Sequence, residues 1–536
     1  MKIIRFLSLV FLVTMISLFS GFVLSYSAKG VLDSMYRPPD IALQNFKQPP
    51  QNVPGSDALD FADVAWRTFV TLNWPANYDA RPLEELALGQ APLAPRVWEF
   101  YRTPEEVFLA KGENPLLNIS NPFARTLKLD LIKGQGAGLP ENMELRKNLQ
   151  NSRAWIEKVI KSKECPAKIE VNPEEKNLLL NNIPIVDQHG NYIIVEVHLN
   201  PNEFKQIVDN KWYDASKLAE YTKNKDKDLE FTSTNSSIDA PLEVKAAWRV
   251  FDKNSSAEEK GRYYTTKRVL AIPKGQYVCT TDNCGTDDPV LEEVEVGLIG
   301  FHIAYKIPQQ QSSTPGWIWA TFEQVDNLKV LNPGQAVGLK PTLFNPDCRG
   351  EKCLPNYPYV EFPFLWRAQS PHAVTKSQDG KIEPQIPTQV VRLSEQRHCR
   401  NSQLSDSEKN FLQQQNENWQ KKFQNVASNS VWQYYQLVGT QWVQNPGIVS
   451  QHTFLTSEKL ISNIRTQTTP GPLFNVAMEA YSQTQVNGDS CIGCHVTATL
   501  PSSSGSSQKA MSDFSFLLQR AKSSSNNVSS DGKPNS

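Results

Sequence analysis

The sequence has no excess of either charge. Its 55 Lys and Arg against 56 Asp and Glu leave a formal net charge of −1, so the basic face that a nucleic-acid partner requires is missing. No run of like charge marks an acidic or basic tail. There is no repeat of fixed period, which excludes a solenoid or propeller array. A Ser/His/Asp signature, a phosphate-binding glycine loop and an H-E-x-x-H pair are also absent. Methionine is scarce at six residues and histidine at seven, so each candidate thioether or imidazole ligand can be weighed by name.

What is present fits a globular exported protein. With 39% hydrophobic and 10% aromatic residues the chain can bury a core, and its length suggests two or three domains. Residues 1–27 read as a signal peptide or membrane anchor. Lys2 and Arg5 give a positive start, Phe6 to Leu24 is an uncharged apolar run, and Ser25 and Ser27 set small residues before a cleavage at Ala28. The run also approaches the length that spans a bilayer, so membrane attachment through this segment stays open. Either way the folded part is expected in the periplasm or another extracytoplasmic space. Residues 28–56, rich in Pro and Gln, read as a linker.

That compartment favours disulfides among the eight cysteines. Cys279/Cys284 and Cys348/Cys353 share a C-x4-C spacing, which suggests two local loops and leaves Cys165 with Cys399. Two such pairs are also the ligand set of a four-thiolate zinc site.

Periodicity predicts an α+β fold, a large antiparallel sheet region with flanking helices. Residues 57–230 form a mixed helix and hairpin region. LDFADVAWRTFVTLNWP reads as a helix ended by Pro75, residues 140–163 and 203–223 as two more, and IPIVDQHGNYIIVEVHLN as a hairpin turning at His189-Gly190. Residues 231–400 are strand-rich: EVKAAWRVF, GRYYTTKRVLAI, VEVGLIGFHIAYKI and GWIWATFEQV are β-branched and aromatic. Residues 401–521 hold a helix at 406–426, a strand or strand pair in VWQYYQLVGTQWV, and a short C-terminal motif. The Ser- and Asn-rich residues 522–536 read as a disordered tail.

The motif is Cys491, Cys494 and His495 in NGDSCIGCHVTATL, the C-x-x-C-H attachment signature of c-type haem. Two thiols one helical turn apart can add to the two vinyl groups on one porphyrin edge, and the next histidine can then reach the iron. At these cysteine and histidine frequencies a chance match is on the order of 0.002 per chain. A thioredoxin-like pair would need a βαβ setting, zinc a fourth ligand, and a bare disulfide across two residues is strained. Ser490 can cap the helix, and Gly493 lets the backbone approach the ring edge. The single motif predicts one covalent haem c, with His495 as an axial iron ligand.

The second axial position is less defined. Met478, in LFNVAMEAY, is one candidate, on a helix just before the motif; its ordinary role is core filling. Met511 lies in a polar segment. His302, in GLIGFHIAYKI, is the other candidate. It shares a strand face with Gly300 and Ala304, whose small side chains leave room for a flat cofactor, although a lone strand histidine is more often a buried, hydrogen-bonded one. Trp317, Trp319 and Glu323 share one side of the next strand and either line a pocket or fill a core. Glu99, Glu196 and Glu323 read as salt-bridged or exposed carboxylates. With no second ligand, the iron is five-coordinate and open.

NVAMEAY, SCIGCHVTA and SDFSFLL, with FADVAWRTFVTLNWP, EVKAAWRVF, GFHIAYK and WIWATFEQVDN, resemble an uncharacterised family of exported bacterial cytochrome c-like monohaem proteins. The resemblance covers most of the chain after the leader and implies a haem c protein without implying a reaction. In layout the chain also resembles the sheet-type cytochromes, the hydroxylamine-oxidising type and the sheet form of cytochrome c-prime. In the former a lysine is bonded to the porphyrin, a place that Lys306 or Lys267 could take. The expected function is electron transfer with a redox partner protein or a small-molecule electron donor or acceptor, through low-spin, six-coordinate iron. The alternatives are a five-coordinate haem enzyme or small-ligand-binding protein, and an extracytoplasmic binding protein with a haem appendage.

Overall fold

The computed structural model describes residues 57–77, 94–117, 125–129, 142–162, 183–223, 229–233, 240–253, 255–279, 288–306, 316–330, 339–393, 406–443, 473–484, 491–501 and 510–523, with a few short stretches between them. The chain clusters into two units, 1–37 and 38–536, and every described residue belongs to the second. The leader, the linker, the 524–536 end and Cys165, Cys284 and Cys399 lie outside the described residues. Among the described residues no helix is long and apolar enough to cross a membrane.

The fold is α+β. Helix α1 (Asp57–Leu72) buries Phe61, Ala65, Trp66, Phe69 and Leu72, one stripe at helical spacing. It ends at Asn73, whose amide Nδ2 donates to the Phe69 carbonyl at 2.9 Å while its Oδ1 accepts from Trp98 Nε1 at 3.2 Å. Helix α2 spans Asn142–Ser162. The helix expected over 203–223 is instead two, α3 (Pro201–Asp209) and α4 (Ala215–Lys223). Lys211 takes φ 56°, and the Trp212 N–H folds back onto the Ile207 carbonyl at 2.8 Å. Burying the Trp212 ring outweighs continuing the helical ladder. Helix α5 is Asp406–Val426 and α6 is Cys491–His495.

The described residues hold twelve strands in chain order: β1 (Thr126–Lys128), β2 (Ile194–Leu199), β3 (Leu242–Phe251), β4 (Thr265–Ile272), β5 (Tyr277–Val278), β6 (Val290–Lys306), β7 (Trp317–Gln324), β8 (Leu365–Arg367), β9 (Ala373–Lys376), β10 (Ile382–Pro384), β11 (Tyr435–Val443) and β12 (Thr468–Thr469). The larger sheet has the order β1-β4-β6-β7-β11-β12, and β3 joins β2 to the other edge of β6. All its pairs are antiparallel except β1 with β4. The smaller sheet is β10-β9-β8-β5, with β5 parallel to β8. All four strand-bearing runs predicted between 242 and 324 are strands, and VWQYYQLVGTQWV is one strand after a short 3-10 turn. The 183–200 segment turns at 187–191 as expected, but its arms meet only at the Val186–Tyr192 bridge, and β2 pairs with β3 instead. Strands from all three predicted regions therefore share one sheet.

The long strand β6 organises the sheet. One of its edges binds β3, and the other binds β4 over residues 290–297 and β7 over residues 300–306. Successive side chains alternate between the two faces. Phe301 and the paired Phe322 face α1, where Phe69 stacks on Phe322 with centroids 4.3 Å apart and meets Phe301 edge-on at 5.7 Å. Trp66 stacks on Trp419 of α5 and donates to Asn416 at 3.1 Å. At one end of this face Arg268 holds both Glu99 (2.7 Å) and Glu196 (2.9 Å), so those two carboxylates are salt-bridged as expected. Elsewhere, Cys348 and Cys353 form the expected disulfide, which rules out a zinc site that needs both as thiolates. Cys279 is also disulfide-bonded, with its partner outside the described residues.

Candidate haem site

The opposite face of the sheet presents His302 and Ala304 of β6, in register with Thr321 and Trp319 of β7 and with Lys245 and Glu243 of β3. The C-terminal part of the chain covers it. The turn at 475–479 lies on Gly300: a Cβ there would stand 2.7 Å from Asn475 Oδ1 and 3.2 Å from the Ala477 methyl. Glycine is needed for this approach. The room over Gly300 is thus taken by protein rather than left for a flat cofactor. Glu323 helps fix the turn, accepting from the Val476 N–H at 2.9 Å and pairing with Arg392 at 2.5 Å.

The motif forms one helical turn, α6, beside β11, where the Ile492 N–H donates to Gln441 Oε1 at 3.2 Å. Ser490 lies outside the described residues. Cys491 and Cys494 are thiols rather than a disulfide. Cys491 is buried and Cys494 partly exposed; burial, then the nearby Glu479, push the Cys491 thiol well above its ordinary pKa. The His495 ring lies between Trp319 (centroids 5.4 Å) and Phe516 (5.2 Å). Its Nδ1 is 2.7 Å from the Phe514 carbonyl, so Nδ1 carries the proton. Burial pushes the imidazole pKa down to about 4. His495 is therefore neutral at physiological pH, with its Nε2 lone pair available, the state in which imidazole binds a metal.

This donor set fits a c-type haem. Both thiols needed for thioether bonds are on one turn, and the histidine has the backbone partner that orients axial imidazoles. The buried indole N–H groups of Trp317 and Trp319 lack an acceptor among the described residues, donors that the carboxylates of such a group can satisfy. Among the described residues no group of three or more His, Cys, Asp or Glu is arranged to hold a metal ion.

The second-ligand candidates stand as follows. Met478 is buried, but on a turn rather than the expected helix, its N–H bonded to the Asn475 carbonyl at 3.1 Å. His302 is near enough to His495 to act on it electrostatically. Both its ring nitrogens are engaged, however: Nε2 with Glu479 at 2.9 Å and Nδ1 with the Thr321 hydroxyl at 2.8 Å. Burial works against the Glu479 charge, but His302, Lys245 and the Asn475 N–H together outweigh it and pull that carboxyl down to about 2. Met511 bridges to Thr499. Of the two lysines, Lys306 is buried beside the site, bonded to Asp513 at 2.7 Å and Glu230 at 3.0 Å, whereas Lys267 pairs with Glu293 on the exposed part of β4.

Sequence reasoning missed Glu479, Thr321, Lys245 and the Phe514 carbonyl. Asp513 and Phe514 have φ of 49° and 64°, a left-handed pair that aims the carbonyl at His495; nothing in single-residue preference announces it. No protein-family model, curated protein or solved structure matches the chain.

Proposed function

We propose that the chain is an exported monohaem c-type cytochrome. Haem c is joined to Cys491 and Cys494, His495 is an axial iron ligand, and the function is electron transfer with a redox partner protein or a small-molecule electron donor or acceptor. The observation that carries this reading is the neutral, oriented His495 next to two thiols on one helical turn. When bound, haem c supplies a one-electron iron couple. Cys491 and Cys494 would hold that group through thioether bonds. Phe514 holds the imidazole, and Trp319 keeps water from it. The Lys2–Ala28 leader supports a periplasmic or other extracytoplasmic location.

A second reading, a five-coordinate haem enzyme or small-ligand binder, is favoured by one observation: His302 has no unengaged ring nitrogen to offer iron.

The test is expression with a haem-attachment system, followed by denaturation and in-gel staining for haem peroxidase activity. Stain should survive denaturation, and a Cys491→Ala/Cys494→Ala chain should lose it completely. Haem that dissociates from the unsubstituted chain on denaturation sinks the proposal. Carbon monoxide then separates the two readings: a reduced spectrum it leaves unmoved supports six-coordinate electron transfer, and immediate binding supports the open site.

A further inference from the structure

Two carboxyl groups near the motif have no place in the reading above. Glu203 is the third residue of α3, whose N-cap is Asn200; the Asn200 side chain accepts the Glu203 N–H at 2.9 Å. A glutamate at this position often turns back to the cap. Here the side chain goes inward. Glu203 is 0% exposed, and neither carboxylate oxygen has a protein donor among the described residues. It meets Glu243 of β3, carboxyl to carboxyl. Two neighbouring carboxyls, one of them fully buried, do not readily both carry charge, so the pair favours holding a proton.

The groups around the pair are few. Asp513 adds a third acid, itself held by Lys306, which also binds Glu230. Arg520 is the cation that acts on Glu243. The Ser515 hydroxyl donates to Glu243 and accepts the Leu517 N–H at 3.2 Å. Burial pushes Glu243 up to about 7, against the Ser515 and Glu203 hydrogen bonds that favour its anion. Burial, then the Glu243 charge, push the Glu203 carboxyl well above the ordinary carboxylate range. Of the two, Glu203 is fully buried and Glu243 is half-buried, so Glu243 is the member that water can reach.

Ser515 is also the next residue after Phe514, whose carbonyl holds His495. A single turn, 512–517, closed by the Ser512 hydroxyl on the Ser515 carbonyl at 2.6 Å, therefore touches the motif histidine on one side and the acid pair on the other.

We propose that the Glu203–Glu243 pair is a proton site linked to the haem at His495, so that one electron entering the iron is accompanied by a proton from water onto the pair. This rests on the haem reading. The balance is simple: an external one-electron donor reduces the iron, the site gains one negative charge, and a proton from solvent offsets it at Glu243. Reduction removes a positive charge that had favoured the carboxylate, so the pair holds its proton more tightly in the reduced state.

The experiment is a mediator-based potentiometric titration of the full haem-loaded chain from about pH 5 to about pH 9. The midpoint potential should fall as pH rises through neutrality, and the fall should vanish in Glu243→Gln. Should Glu243→Gln fail to fold, Ser515→Ala serves: losing the hydrogen bond that favours the anion should move the sloping region to higher pH. A flat profile in the unsubstituted chain, a slope that persists in Glu243→Gln, or a sloping region that does not move in Ser515→Ala overturns the proposal. Infrared difference spectra on the unloaded full chain keep the two failures distinct. A protonated-carboxyl band that titrates near neutrality and disappears in Glu243→Gln establishes the pair without haem. With that band present, a negative haem stain removes the haem reading and the coupling with it, whereas a positive stain with a flat potential removes the coupling alone.

Discussion

The two faces of the large sheet both bury charge, and they do so differently. On the α1 side the core is aromatic, Trp66, Phe69, Phe301 and Phe322 in mutual contact, and its carboxylates are fixed by a cation. Burial pushes Glu196 up, but Arg268 and His198 outweigh it and hold that carboxyl far below the usual range. On the motif side burial pushes Glu203 and the half-buried Glu243 the other way, and among the described residues no cation is salt-bridged to either. A paired buried charge is locked in one protonation state over the working pH range; an acid paired with another acid is not. The first arrangement stabilises a scaffold, and the second leaves a proton that can move.

Breaking the first arrangement should produce the largest effect. Arg268→Leu strands Glu99 and Glu196 without their guanidinium, and removing one partner of a buried pair costs about 3–5 kcal/mol. Denaturant unfolding should show this loss at neutral pH. The sign with pH follows from the depressed Glu196 carboxyl. Its stabilisation is present above the ordinary carboxylate pKa of 4.5 and is lost as pH falls below it, so the gap between the unsubstituted chain and the variant should narrow in acid. A gap that widens below that point would contradict the assignment.

Gly300→Ala tests the seam between the strand and the C-terminal cover. The added methyl would sit 2.7 Å from Asn475 Oδ1, and this overpacking costs about 1–3 kcal/mol. The turn must shift, and Glu479 with it, so the loss of thermal stability should come with reduced haem attachment. The same substitution at a glycine with open surroundings, Gly275, should do neither.

The acid pair gives a smaller and opposite pH effect. A carboxyl raised in the folded state makes no difference at low pH and costs stability as pH rises from the ordinary value of 4.5 to the folded value of about 7, at up to about 1.4 kcal/mol per pH unit for one proton. Stability in this window should therefore decline in the unsubstituted chain and decline less steeply in Glu243→Gln.

Much of the scaffold was legible in the sequence because it depends on local pattern. The stripe Phe61, Ala65, Trp66 and Phe69 gives α1, and the aromatic and β-branched runs give β3, β4, β6 and β7. The break at Lys211 was not legible, since it depends on where the Trp212 ring can be buried. At the site, Cys491, Cys494 and His495 declare themselves by spacing. Beside them His302 meets Glu479 from 177 residues away and His495 meets a backbone carbonyl, and neither contact leaves a mark in single-residue preference. His302 was found by its small neighbours Gly300 and Ala304, yet the reason for Gly300 is the close approach of Asn475 and Ala477.

The smallest effect is expected at Lys267. It is one of the two lysines considered for a bond to the porphyrin, and its side chain is 71% exposed in a pair with Glu293 at 56%. Exposed pairs contribute little because water screens them and both side chains lose freedom in pairing. Lys267→Ala should leave the unfolding midpoint, the haem stain and the reduced spectrum unchanged. Lys306 differs in every respect that matters: it is 3% exposed, and it ties Asp513, next to Phe514, to the site. Lys306→Met should leave Asp513 buried without its cation, and burial already pushes that carboxyl up. The turn that holds His495 should then loosen, giving a lower unfolding midpoint and a changed haem spectrum. Equal responses from the two lysines would mean that the motif face does not depend on the turn between Asp513 and Ser515.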